Sequence, residues 1–66
     1  MTVDELQQLA SAYRAEHPEQ RWGQALFNVL RAHDLELARE LTGAEVDPFY
    51  LDERVGGFLL AVEGRI

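Results

Sequence analysis

Apolar residues recur along this chain at spacings of three and four, so the elements it predicts are helices. Val3, Leu6, Leu9, Ala10 and Tyr13 share one face of a helix over about 3–16. Thr2 followed by Glu5 fits a capping box, with the hydroxyl accepting from an orphan N–H and the carboxylate reaching back to the cap. Arg14 and His17 bring positive charge to the helix end. Pro18 ends the pattern, because the residue before a proline is pushed out of helical angles.

A second helix starts at about 18 or 21 and runs to 33. On a wheel at about 100° per residue, Trp22, Ala25, Leu26, Val29, Leu30 and His33 form a sector wider than half the circumference, with Phe27 at its edge. Arg21, Gln24, Asn28 and Arg31 occupy the opposite side. A helix this apolar belongs at the centre of a bundle. Gly23 costs roughly 1 kcal/mol relative to Ala inside a helix. A close approach by another backbone, such as that of the first helix, accounts for it.

A short third helix spans about 35–41, capped by Asp34 and closed by Gly43, with Leu35, Ala38 and Leu41 inward and Leu37 partly round the other side. The stretch AEVDPFYLDE has no helical period. Asp47-Pro48 reads as a turn, because aspartate bonds the backbone two residues on and proline presets its own φ. Asp52 then caps a fourth helix over about 53–63, whose inner face is Val55, Phe58, Leu59 and Val62 and whose first turns Gly56 and Gly57 weaken. The expected fold is all-α: one domain over 1–66, a compact small bundle of three longer helices plus one short helix, the second helix central.

Composition narrows the chemistry. A chain of 66 residues buries only about 60% of the surface its unfolded form exposes, so stability is modest. There is no cysteine, which excludes disulfides and thiolate metal sites, and His17 and His33 are too few and too far apart for zinc. The net charge is −6, and the six arginines are scattered singly. A phosphate-binding surface needs a basic patch, so no direct nucleic-acid partner is expected. No apolar run approaches the roughly 20 residues of a membrane span. The acids in MTVDELQQL do not suit a signal peptide. A cytoplasmic protein is expected. A bacterial or phage source is expected, and the absence of lysine reads as GC-rich codon usage and not as chemistry.

Catalytic parts are not evident. Ser11 has no histidine nearby in sequence, His33 reads as a partly buried helix-end residue, and His17 reads as a junction residue. Asp47, Asp52 and Glu53 do not follow calcium-loop spacing. The roles of turn former and helix cap explain the two aspartates without a metal. Gly56-Gly57 lacks the Lys-Ser/Thr of a phosphate loop. No enzyme activity, cofactor or metal is expected.

The polar stripe on the second helix is the unusual feature. Asn is a poor helix-interior residue unless its amide has something to bond. In one reading Gln24 and Asn28 bond the irregular DPFY backbone, Arg21 pairs with Asp47 or Glu45, and Phe49 and Tyr50 pack beside Trp22 and Phe27. In the other, the same arginine, amides and aromatics recognise a partner, because Arg, Trp and Tyr are favoured at binding hot spots. The readings are compatible if a braced loop holds Tyr50 outward.

R-W-G-Q-A-L-F-N, followed about twenty residues later by D-P-F-Y, resembles a group of short bacterial and phage-encoded proteins of unknown function that carry Arg-x-Gly-Gln-Ala-x-Phe-Asn and Asp-Pro-Phe-Tyr segments. The resemblance covers about 19–60. It implies a joint role for Arg21, Gly23, Gln24, Phe27, Asn28, Asp47, Pro48, Phe49 and Tyr50, and it brings no activity with it. Small size, acidic charge and this cluster lead to the expectation of a small acidic protein-binding module, a modulator or accessory subunit. The alternatives are a homo-oligomer, such as a homodimer, joined through Phe27, Leu37 and Ile66, or a ligand binder that uses the Arg21, Gln24 and Asn28 stripe.

Overall fold

A computed structural model describes residues 1–65. Helix α1, Val3–Glu16, is followed by α2, Trp22–His33, α3, Leu35–Leu41, and α4, Val55–Glu63, with a 3₁₀ turn at Asp52–Arg54 leading into α4. The described residues contain no strand. The bundle is all-α, with α2 packed against α1, α3 and the 3₁₀ turn, while α4 closes on α1. The Cα radius of gyration, 10.5 Å, is close to the roughly 11 Å of a compact chain of this length.

The helix ends follow local chemistry. Thr2 Oγ1 accepts from Glu5 N at 3.1 Å. The other half of the capping box differs from expectation, since the hydroxyl donates to Glu5 Oε1 at 3.4 Å. His17 N–H closes α1 on the carbonyls of Tyr13 and Arg14. Asp34 Oδ1 accepts from Leu37 N at 3.1 Å and opens α3. Gly43, at φ 77, follows its end, in the left-handed region that other residues enter only at a cost.

The core joins Leu6 and Ala10 of α1, Ala25, Leu26, Phe27, Val29 and Leu30 of α2, Leu37, Ala38 and Leu41 of α3, and Phe58 and Val62 of α4. Phe27 is buried rather than at the edge of the apolar sector. The rings of Phe49 and Phe58 lie 6.0 Å and 6.2 Å from its own. In α3 the expected inward residue, Leu35, is exposed, and Leu37 is buried in its place. Leu35, Ala38 and Leu41 span about the same arc as Leu37, Ala38 and Leu41 at 100° per residue, and a two-turn helix offers too few positions to choose between them. Leu9 and His33 are exposed as well, and both line an open groove between α1 and α2. Burial of Phe27 and Leu37 removes two of the three residues expected at a subunit contact, and Ile66 lies outside the described residues.

Candidate functional site

The connection between α3 and the 3₁₀ turn is built around Asp47. Its two carboxylate oxygens accept from two different backbone amides: Gly43 N at 2.8 Å on Oδ2 and Phe49 N at 2.9 Å on Oδ1. The second bond is the aspartate turn expected from Asp47-Pro48. Pro48 is fully buried. A Cβ on Gly23 would lie 2.3 Å from Pro48 O and 2.8 Å from Asp52 Oδ1. The close approach that requires glycine at position 23 is therefore the DPFY turn and not the first helix.

Arg21 ties this turn to the start of α2. Its Nη2 donates to Phe49 O at 2.8 Å, and its Nε lies 3.7 Å from Asp52 Oδ1. The same Asp52 Oδ1 accepts from Gly23 N at 3.0 Å. Arg21 is the N-cap of α2, yet a guanidinium has no acceptor to offer the orphan N–H groups of the first turn. Asp52 supplies that acceptor from elsewhere in the chain. Its role thus differs from the one expected, since the aspartate caps α2 while α4 is entered through the 3₁₀ turn.

The stripe separates into three parts. Gln24 folds back, and its Oε1 accepts from Arg21 N at 3.0 Å, so it closes its own helix start. Asn28 does not reach the turn. Its Nδ2 donates to Gln20 Oε1 at 2.9 Å, and its Oδ1 accepts from Arg31 Nη2 at 3.2 Å. Gln20 is anchored in turn by Arg14 Nε, which donates to its carbonyl at 3.0 Å. Arg21 alone bonds the loop backbone, and its acidic neighbour is Asp52 in place of Asp47 or Glu45. Of the six residues singled out in the sequence, Arg21, Asp47, Phe49 and Tyr50 come together at the turn. Gln24 and Asn28 brace the helix beside it.

These bonds pin the chain on both sides of Tyr50 and Leu51. Phe49 is held at its carbonyl and Asp52 at its carboxylate, both against the start of α2. Between them Tyr50 is 77% exposed. Its ring stands edge-on to Phe49 at 4.9 Å and 73°, and Phe49 stands edge-on to Phe27 at 82°. Three aromatic rings thus run from the core to the surface. Such pairs add roughly 0.5–1.5 kcal/mol each beyond the area they bury when well packed, which favours one outward rotamer for Tyr50.

Potential catalytic groups are dispersed. Ser11 and His33 are exposed on separate helices. The His17 ring lies 4.3 Å from that of Tyr13, with Glu19 3.7 Å from its Nδ1. Among the described residues no group of three or more His, Asp or Glu is placed to hold a metal ion, and no helix is long and apolar enough to cross a membrane. Gln20 is a site residue that the sequence did not point to, and Asp52, expected as the cap of the fourth helix, was not expected at the start of α2. A helix whose N-cap carries no acceptor was the available signal that one would be supplied from a distance. No family model matches the chain, and neither a curated protein nor a solved structure is significantly similar to it.

Proposed function

We propose that this chain is a small acidic protein-binding module of a bacterial or phage cytoplasm, an accessory or modulator subunit with no catalytic chemistry of its own. The observation that carries this reading is the presentation of Tyr50, 77% exposed, on a turn whose two flanks are tied by Arg21 to a buried helix. A tyrosine delivers large contact area for little rotamer entropy, and tyrosine is enriched at hot spots. A loop ordered before binding leaves less freedom to lose on association. The core contacts of Phe27, Phe49 and Pro48 supply that order, and they account for the joint presence of RWGQALFN and DPFY in one chain.

The test compares wild type, Tyr50→Ala and Leu51→Ala as baits in lysate of the source cell, read by mass spectrometry, after circular dichroism has shown equal helicity. A protein captured by the wild type is expected to be lost with Tyr50→Ala and weakened with Leu51→Ala. Capture of the same proteins in equal amount by all three baits would remove the turn from the interaction and overturn the reading.

A further inference from the structure

We infer that the groove beside Tyr50 receives an acidic side chain of the protein partner together with the apolar residue next to it. This rests on the turn being the module's contact surface. Phe27, Phe49 and Tyr50 wall the groove, and Arg31, Thr42 and Asp47 rim it, around about 220 Å³. Pockets for small molecules run at roughly 300–1,000 Å³. This space suits one or two side chains of a peptide better than a cofactor.

The hydrogen bonds already made decide the charge of the occupant. Each oxygen of Asp47 already accepts a backbone N–H. The Thr42 hydroxyl donates to Ala38 O at 2.8 Å. Arg31 spends one Nη2 bond on Asn28 Oδ1, and among the described residues no carboxylate lies within ion-pair distance of it. A guanidinium has five N–H donors and no acceptor. Asp47 keeps lone pairs beyond these two bonds, so the remaining polar capacity of the groove is the donors of Arg31, the phenol of Tyr50 and part of the Asp47 carboxylate. A carboxylate matches a guanidinium with two parallel bonds, while the rings of Phe49 and Tyr50, over the buried Phe27, take the neighbouring apolar side chain. The net charge of −6 weighs little against this contact, because exposed charges more than about 8–10 Å away are largely screened at physiological salt. Asp47 is the one group on the rim that would draw a cation instead, so the sign of the preference is the decisive reading.

Isotope-labelled protein is titrated with three peptides, Ser-Gly-Phe-Xaa-Gly-Ser, where Xaa is Glu, Gln or Lys, and with phenylacetate. The Glu peptide is expected to shift the amides of Arg31, Phe49 and Tyr50 and to bind about fivefold more tightly than the Gln and Lys peptides, a difference of about 1 kcal/mol. Arg31→Gln, an exposed change, is expected to abolish the preference. A Lys peptide that binds as well as the Glu peptide, an absence of shifts at these amides, or phenylacetate matching the Glu peptide would each overturn the inference. The captured partner separates the two proposals. Loss with Tyr50→Ala but full capture with Arg31→Gln overturns the acidic occupant alone, and full capture with both overturns the module as well.

Discussion

The backbone N–H of Gly23 donates to Asp52 Oδ1 across 29 positions of sequence, at 3.0 Å. It makes the start of α2 depend on a residue at the entrance to α4. The bond forms only because glycine has no Cβ, which would meet Pro48 O at 2.3 Å. Gly23→Ala therefore sets two effects against each other. Ala is worth about 1 kcal/mol in a free helix interior, whereas overpacking against backbone costs roughly 1–3 kcal/mol or more. Here the backbone must move, so the clash dominates. Gly23→Ala is expected to lower Tm by about 5–10 °C, taking about 4–8 °C per kcal/mol for a domain of this size. Gly56 is the control. Nothing lies within 4 Å of a Cβ built there, and Gly56→Ala is expected to raise stability by a few tenths of a kcal/mol up to about 1 kcal/mol. Thermal melts of the pair check the prediction, and a stabilising Gly23→Ala would contradict the close approach.

Asp52→Ala removes an acceptor from the first turn of α2 and a carboxylate from beside Arg21. The ion pair itself contributes little, because both side chains are about half exposed, at 48% and 46%, and exposed pairs are worth roughly 0–1 kcal/mol. The cap is worth about 1 kcal/mol on its own. Asp52→Ala is expected to cost about 1–2 kcal/mol in urea unfolding. Asp52→Asn keeps an amide oxygen for Gly23 N–H and loses only the charge near the helix start, about 0.3–1 kcal/mol. Equal losses for the two variants would mean that the charge and not the hydrogen bond matters.

The helices were legible because each carries a periodic apolar face and a local stop. Asp34, Gly43 and Pro18 act within a few residues of where they sit. The turn at Asp47 was legible for the same reason, since its bond to Phe49 N spans two residues. The partners of the polar stripe were not. Arg21 has several acids within reach of a flexible side chain, and only the packing of Pro48 on Gly23 brings Asp52 nearer than Asp47 or Glu45. Gln24 and Asn28 were expected to serve the loop because both lie on the stripe. Local partners reach them first: Gln24 is three residues from the N–H it accepts, and Asn28 is three residues from Arg31. Phe27 shows the other limit. A wheel drawn for one helix places it at an edge, but Phe49 and Phe58 arrive from other segments and enclose it.

Arg21→Ala should loosen the turn without melting the bundle. It removes the bond to Phe49 O at 2.8 Å and leaves every core contact in place. Hydrogen exchange of the hydrogen-bonded amides of the turn, those of Phe49, Arg54 and Val55, is expected to accelerate by about tenfold, equivalent to about 1.4 kcal/mol of local opening. Amides in the middle of α1 and α2 should change much less. Arg21→Lys keeps the charge but cannot hold two acceptors with one planar fork, so it should give an intermediate rate. Uniform acceleration along the whole chain would show that Arg21 supports the global fold instead.

The ring series from Phe58 to Tyr50 predicts a gradient of cost. Phe58 is fully buried and Phe27 nearly so, at 0% and 4%, and truncating a buried phenylalanine costs roughly 3–5 kcal/mol. A domain of this size has a total stability of only about 3–10 kcal/mol, so Phe58→Ala and Phe27→Ala are expected to leave much of the protein unfolded at room temperature. Phe49, half-buried between Phe27 and Tyr50, should cost an intermediate amount. Tyr50→Ala removes one exposed ring and its edge contact with Phe49, and should cost less than about 1 kcal/mol. Circular dichroism melts of the four variants measure the gradient. A Tyr50→Ala loss as large as that of Phe49→Ala would mean that the outward ring is held by more than Phe49. A small loss leaves the surface role of Tyr50 as the one that its substitution tests.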